Sequence, residues 1–301
     1  VNRINSYLEN FGQVFPYRKN LRLFQRLLLV FLCFNALFFY RPSASYLFGP
    51  DSPFANYYRS SNPILYVINL LEDPAIGRYW YIFFYGQIMS CLVLLWKPNV
   101  RWLWLILYWT TAVLYNRTAP IQNAGMNLVV ILLLLMIFAE PGKEEKRGDS
   151  RGQFLLNTMH RLAFMAMKFQ VVLLYLVASV IKLTGQTWVD GTAWYYVLFN
   201  ETYSNGFWQK YYLGNDWLQK IVTWFTLIFQ LSFPVFIWFK QFKYPLLLAG
   251  ILFHVMIGIS MGIIDFGLIM IVVYTLFLDE EKVNRLTAFY TILTKKSKAE
   301  V

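Results

Sequence analysis

The chain has 301 residues, of which 58% are hydrophobic, 20% aromatic and only 14% charged, against roughly 25% charged in a soluble domain. Its net charge is +11, but the basic residues sit in separate connections rather than in one patch, which argues against nucleic acid as a partner. The apolar runs are long rather than alternating, so the class is an all-α, polytopic helical membrane protein.

Residues 1–20 carry Ile4, Tyr7, Leu8 and Phe11 at helical spacing, which predicts a short amphipathic, interfacial lead-in. No short apolar core followed by a small-residue cleavage site is present there, so no signal peptide is expected. Arg18, Lys19 and Arg22 then precede a first span near 21–40. A long aromatic connection follows over 41–79, punctuated by Pro42, Gly49, Pro50, Pro53, Pro63 and Pro74. A loop of that length is usually functional or packs over something. Within it, SNPILYVINLLEDP reads as a short helix capped near Ser61 or Asn62, with Pro63 in its first turn.

Spans two and three are expected at about 80–96 and 102–116, separated by Lys97-Pro98-Asn99. A polar insert, NRTAPIQNAG (116–125), leads to a short span four at about 126–138. Residues 139–152 form a hydrophilic loop, and span five is placed at roughly 162–183. A turn-rich aromatic segment continues to about Gly214, before span six at 218–239. The final apolar stretch, 244–278, is too long for one crossing at 1.5 Å per residue. It is split at Gly262 into spans seven and eight, and a charged tail follows from Asp279. The expected domains are therefore the lead-in, one transmembrane domain over 21–278, and a tail over 279–301.

With about eight spans, both termini share one side. The basic residues concentrate there, for example Arg18, Arg22, Lys97, Arg101, Lys146, Lys240 and Lys296. The other side holds only Arg41, Arg59, Arg78, Arg117 and Lys210. The positive-inside rule then puts both termini in the cytoplasm and Lys182 at the outer end of span five.

Few polar groups fall inside the spans. Lys182 ends a membrane-buried run, where a lysine costs up to about 3 kcal/mol. It either snorkels to the headgroups or serves as a desolvated base. Asp190 either sets its proton balance or pairs with it and keeps it charged. His254 lies mid-span and reads as interhelical glue or as a proton partner. Asp265 reads as a cap for span eight. Arg117, Gln122 and Asn123 are ordinary residues of an outward turn or an anion site. Trp188 and its aromatic neighbours suit an interfacial belt or the wall of a pocket for a flat ring. Two histidines do not make a metal site, so no metal is expected. Cys33 and Cys91 lie in apolar runs and do not suggest a disulfide framework. No phosphate loop, nucleophile elbow or dinucleotide fingerprint occurs.

Four segments together carry a resemblance: YNRTAPIQNAGMNLVVILLLLMIF (115–138), YLVASVIKLTGQTWVDGTAWYY (175–196), FQLSFPVFIW (229–238) and LFHVMIGISMGIIDFGLIMIVVYTLFL (252–278). In this order they resemble the HTTM domain, the membrane domain shared with vitamin K-dependent gamma-carboxylase. The most specific segment is Lys182-Leu183 followed by Trp188-Val189-Asp190-Gly191. The resemblance implies Lys182 as the base toward a reduced quinone, vitamin K or menaquinol-like, with Phe253-His254 matching a phenylalanine–histidine pair of the family. The carboxylase's large luminal domain has no counterpart in these 301 residues. Short bacterial, SdpB-like members, which help mature a secreted peptide toxin, are similar in size. The implied function is a quinol-linked enzyme of the bacterial inner membrane that modifies an exported peptide, protein or lipid. The alternative is a non-catalytic maturation or scaffold partner of an exported polypeptide.

Overall fold

A computed structural model describes residues 17–55, 63–139, 151–200, 206–212 and 214–285. The expected lead-in helix lies almost wholly outside the described residues, as do most of the hydrophilic loop before span five and the end of the tail. Among the described residues the chain is all-helical, with no strand. It divides into two compact units, Val1–Met167 with Leu278–Val301, and Lys168–Phe277.

In the first unit, α1 (Arg18–Phe34) buries Leu21, Phe24, Leu28 and Leu32, one face of a 3.6-residue period. It does not stop at residue 40. A π-helical segment, Asn35–Tyr40, and a 3₁₀ turn, Arg41–Ser43, carry it into α2 (Ala44–Phe48). The start of the expected loop 41–79 is therefore helical. Further on, its described residues form α3 (Pro63–Ile68), a 3₁₀ turn (Leu70–Glu72) and α4 (Pro74–Gly77). Asp73 caps α4 by accepting from the amide of Ala75 at 2.9 Å.

These short pieces lie on α6 (Arg101–Arg117), which pairs with α5 (Trp80–Trp96). The indole N–H of Trp109 donates to the Val67 carbonyl at 3.0 Å, and the Asn116 amide donates to Ile68 at 3.1 Å. Gln87 of α5 donates to Thr111 of α6 at 2.9 Å across the buried seam, a bond typical of polar glue between apolar helices. The insert 116–125 then enters α7 (Ala124–Met136). The start of the tail returns to α1, where Lys19 Nζ donates to Asn284 Oδ1 at 2.7 Å and Asn20 donates to the Leu278 carbonyl. Cys33 and Cys91 are free thiols.

α8 (Arg151–Leu183) starts eleven residues before the predicted span. Its early turns mix polar and apolar residues (RGQFLLNTMHR) and so contain no continuous apolar run. The unit boundary falls within it, between Met167 and Lys168.

The second unit continues from α8 through α9 (Gln186–Val189), α10 (Ala193–Phe199) and α11 (Gly206–Tyr212). It is completed by α12 (Asp216–Phe236), α13 (Lys240–Met261) and α14 (Ile264–Tyr274). The expected break in the last apolar stretch is present. Gly262 adopts φ +72° and ends α13, a left-handed C-cap that a side chain would strain. Asp265 is not the cap of the following helix: Ile263 holds that position, and Asp265 lies in the first turn. Phe229, Phe233, Phe253, Ile269, Met270 and Val273 form the buried interior of this unit. Trp194, Leu198 and Tyr212 make a smaller cluster with Trp208 and Val222.

Among the described residues, four helical stretches are long and apolar enough to cross a membrane: Arg18–Phe48, Arg151–Leu183, Asp216–Phe236 and Lys240–Met261. Trp80–Trp96, Ala124–Met136 and Ile264–Phe277 are apolar but shorter. At 1.5 Å per residue the thirteen residues of α7 reach only about 20 Å, against a hydrocarbon core of about 30 Å.

Candidate functional site

The polar centre of the second unit is a chain of three side chains from three helices. Tyr175 comes from α8, His254 from α13 and Tyr274 from α14. The Tyr175 hydroxyl lies 2.7 Å from His254 Nε2 and 2.5 Å from the Tyr274 hydroxyl. Tyr175 and His254 are each 1% exposed and Tyr274 is 3% exposed. Buried polar groups of this kind are normally paired, and here they pair with one another. Nδ1 of His254 is buried with no hydrogen-bond partner among the described residues.

Aromatic rings hold the chain in place. Tyr175 packs on Phe233 at 4.3 Å between centroids, and His254 meets Phe266 edge-on at 5.3 Å. Gly250, one helical turn before His254, is where α13 admits Tyr274. A Cβ there would run into the phenol ring.

Lys182 stands on the same helix face as Tyr175. Residues 175, 179 and 182 follow the i, i+4, i+7 pattern of one stripe, and Ser179 between them is fully buried. Seven residues separate the two along α8, or about 10 Å of helix axis. Lys182 is half-buried, and its ammonium lies 5.1 Å from the centroid of the Trp188 ring, within cation–π range. Trp188 is set by α9, which folds back immediately after α8. The loop is pinned to α12 because Trp224 Nε1 donates to the Val189 carbonyl at 3.2 Å.

Asp190, the other acid-base candidate of this segment, is turned elsewhere. Its carboxylate accepts from the amide of Thr192 at 3.0 Å and from the Thr192 hydroxyl at 2.6 Å. Among the described residues no ion pair links it to Lys182. An ion pair would hold the amine charged; the local turn takes up the carboxylate instead.

The remaining candidates lie in the first unit. Arg117, read from sequence as part of an outward turn, is 1% exposed. It ends α6 and donates to Glu72 at 2.9 Å and to the Gly49 carbonyl at 2.7 Å. It thereby ties the 41–79 connection to the helix. Asn123 caps α7, accepting from the amides of Gly125 and Met126 at 2.9 and 3.2 Å. Gln122 lines a small hollow, about the size of one water molecule, together with Tyr40, Gln87, Thr111, Tyr115 and Met126. The amides in that hollow are occupied: Tyr40 donates to Gln122 at 3.1 Å, and Gln122 donates to Thr118 at 2.6 Å.

The six sequence candidates therefore separate into two groups. Lys182, Trp188, Asp190 and His254 belong to the second unit, and Arg117 and Asn123 to the first. Tyr175 and Tyr274 were missed. Each is one tyrosine among 21, and only the arrangement of α8, α13 and α14 singles them out. No group of histidine, cysteine and carboxylate side chains suited to a metal occurs among the described residues.

No family model matches the chain, and no solved structure matches it. Two curated proteins of Bacillus subtilis (strain 168) are similar to it. Sporulation-delaying protein SdpB is 27% identical over 298 residues, covering 94% of this chain and 87% of its own length. The uncharacterized protein YitO is 25% identical over 201 residues, or 64% of each chain. The chain thus spans under two thirds of YitO and most of SdpB. The chain is thus similar to SdpB nearly end to end, and its four helices of membrane-crossing length are those of an integral membrane protein.

Proposed function

We propose that the chain is a membrane enzyme with an HTTM-like domain, in which Lys182 acts as a base toward a reduced quinone and an exported peptide, protein or lipid is modified. In this reading the shorter apolar helices complete a bundle of about eight spans with both termini cytoplasmic. Lys182 then works near the outer face of a bacterial inner membrane. The observation that carries the reading is the single stripe of α8 that bears Lys182 and, two turns earlier, Tyr175 bonded to His254.

The residues fit a hydroxyl-bearing flat ring. The Trp188 face supplies an aromatic wall beside the amine, and the exposed Leu183 and Val189 supply apolar surface. A reduced quinone contributes two reducing equivalents and ionisable ring hydroxyls when bound. Lys182 Nζ takes a hydroxyl proton. Tyr175 on the same stripe and His254 of α13 form a buried hydrogen-bonded path, able to hold or pass a proton between Nε2 and the phenol oxygen. Asp190 keeps the Trp188 turn closed through Thr192, and Arg117 and Asn123 shape the connections of the first unit.

A second reading is a non-catalytic maturation or scaffold partner of an exported polypeptide. The favouring observation is the exposed aromatic set Tyr195, Tyr196, Phe207, Tyr211 and Trp217 on and after α10 and α11, a surface suited to a chain or to lipid. Quinol oxidation in lipid nanodiscs separates the two readings. The enzyme loses turnover in Lys182→Met while staying folded. The scaffold shows no turnover in either protein and keeps its crosslinks to an exported polypeptide.

A further inference from the structure

α1 carries three arginines at intervals of four, Arg18, Arg22 and Arg26, and no acidic residue. Side chains four apart are neighbours on a helix surface, so the guanidinium groups form a ladder. Like charges at this spacing destabilise a helix. Arg22 and Arg26 are exposed, and among the described residues neither is in an ion pair. The core-facing residues Leu21, Phe24, Gln25 and Leu28 lie on the other side of α1.

The same i+4 row, a ridge inclined to the helix axis, continues through Val30 and Phe34 to Phe38 of the π-helical segment, which are 52%, 37% and 66% exposed. The rings of Phe34 and Phe38 lie 4.7 Å apart between centroids. Along this single inclined row the side chains change abruptly from three cations to three apolar groups. Twelve residues separate Arg26 from Phe38, or about 18 Å of helix, close to the ~15 Å hydrocarbon depth of one leaflet. The order of charge and apolar surface is that of a phospholipid: phosphate at one end, acyl chain along the rest.

We propose that this stripe is a binding site for one anionic phospholipid. Its phosphate is held by Arg22 and Arg26, with Arg18 adding charge, and an acyl chain lies along Val30, Phe34 and Phe38. Arginine suits a phosphate because its planar donors bond two oxygens at once. A soluble anion would engage the arginines alone, whereas a phospholipid engages both the arginines and the apolar row that follows them.

The test uses the purified full chain in detergent and a fluorescent phosphatidylglycerol as probe. The competitors are unlabelled phosphatidylglycerol, phosphatidylcholine and inorganic phosphate. Each arginine near an anionic headgroup is worth roughly a five-fold change, so R22Q/R26Q should weaken binding by about 30-fold. R22K/R26K should recover a large part, because the charge is kept, and V30S/F38S should weaken binding without altering the ladder. R78Q, which removes a charge outside the row, should bind as the wild type does. Equal affinity in wild type and R22Q/R26Q overturns the site, as does equal competition by phosphatidylcholine. Displacement by inorganic phosphate as effective as by phosphatidylglycerol also overturns it, because the site would then be one for a soluble anion.

Discussion

The hydroxyl of Tyr175 sits 2.7 Å from Nε2 of His254 with both residues buried. Removing that hydroxyl leaves a ring nitrogen and the Tyr274 hydroxyl without their partner in an apolar interior. Tyr175→Phe should therefore lower stability by about 1–3 kcal/mol, the cost of stranding a buried polar group. The check is thermal unfolding in detergent beside the wild type. A melting curve that does not move means the hydroxyl is not paired as described.

Gly250 makes a related prediction from packing. Its Cα faces the Tyr274 ring with no room for a methyl group, so Gly250→Ala should cost roughly 1–3 kcal/mol by overpacking. Both changes act on the same hydrogen-bonded chain, so Gly250→Ala with Tyr175→Phe should lose less than the two single losses combined. Strict additivity in a double-mutant cycle would show that Tyr274 stays in place when Gly250 is filled.

The buried pair Arg117–Glu72 predicts an asymmetric result. Glu72→Gln leaves a buried guanidinium uncompensated, which should cost about 3–5 kcal/mol. Replacing both with apolar residues, Arg117→Met with Glu72→Leu, removes both charges together and should recover much of the loss. The measure is the yield of monodisperse protein and its melting temperature. If Glu72→Gln behaves as wild type, the pair is not what ties the 41–79 connection to α6.

Removing the cap of α7 should have a milder effect. Asn123→Ala withdraws the acceptor for two first-turn amides, a change worth about 0.5–2 kcal/mol. Asn123→Ser should retain most of the stability in the same unfolding experiment, because a serine hydroxyl can accept those amides; equal losses for both would mean capping is not the role.

Much of this architecture was legible in the chain. Apolar runs gave α1, α5, α12 and α13, and Gly262 divided the last run because a left-handed residue there closes one helix before the next begins. The resemblance carried by Lys182 and Trp188-Val189-Asp190-Gly191 pointed to the part of the second unit where the amine meets the indole. What stayed hidden depends on tertiary partners. The first turns of α8 are not apolar enough to announce a helix. Arg117 sits beside turn formers and reads as exposed until Glu72, 45 residues away in sequence, is folded against it. Tyr175 and Tyr274 are 99 residues apart, and no local pattern distinguishes them from interfacial tyrosines. Asp190 carries the residue type of a proton-balancing acid, but the nearer Thr192 takes it first.

The central claim is that Lys182 is a working base, and one comparison tests it most directly. Wild type and Lys182→Met, each in nanodiscs and each shown to melt at the same temperature, receive a reduced naphthoquinone while oxygen uptake and oxidised quinone products are followed by mass spectrometry. Loss of a general base typically lowers a rate by about 10²–10⁴-fold. The account predicts turnover in the wild type and a loss of that order in Lys182→Met. Equal turnover in the two folded proteins, or none in either, would contradict it.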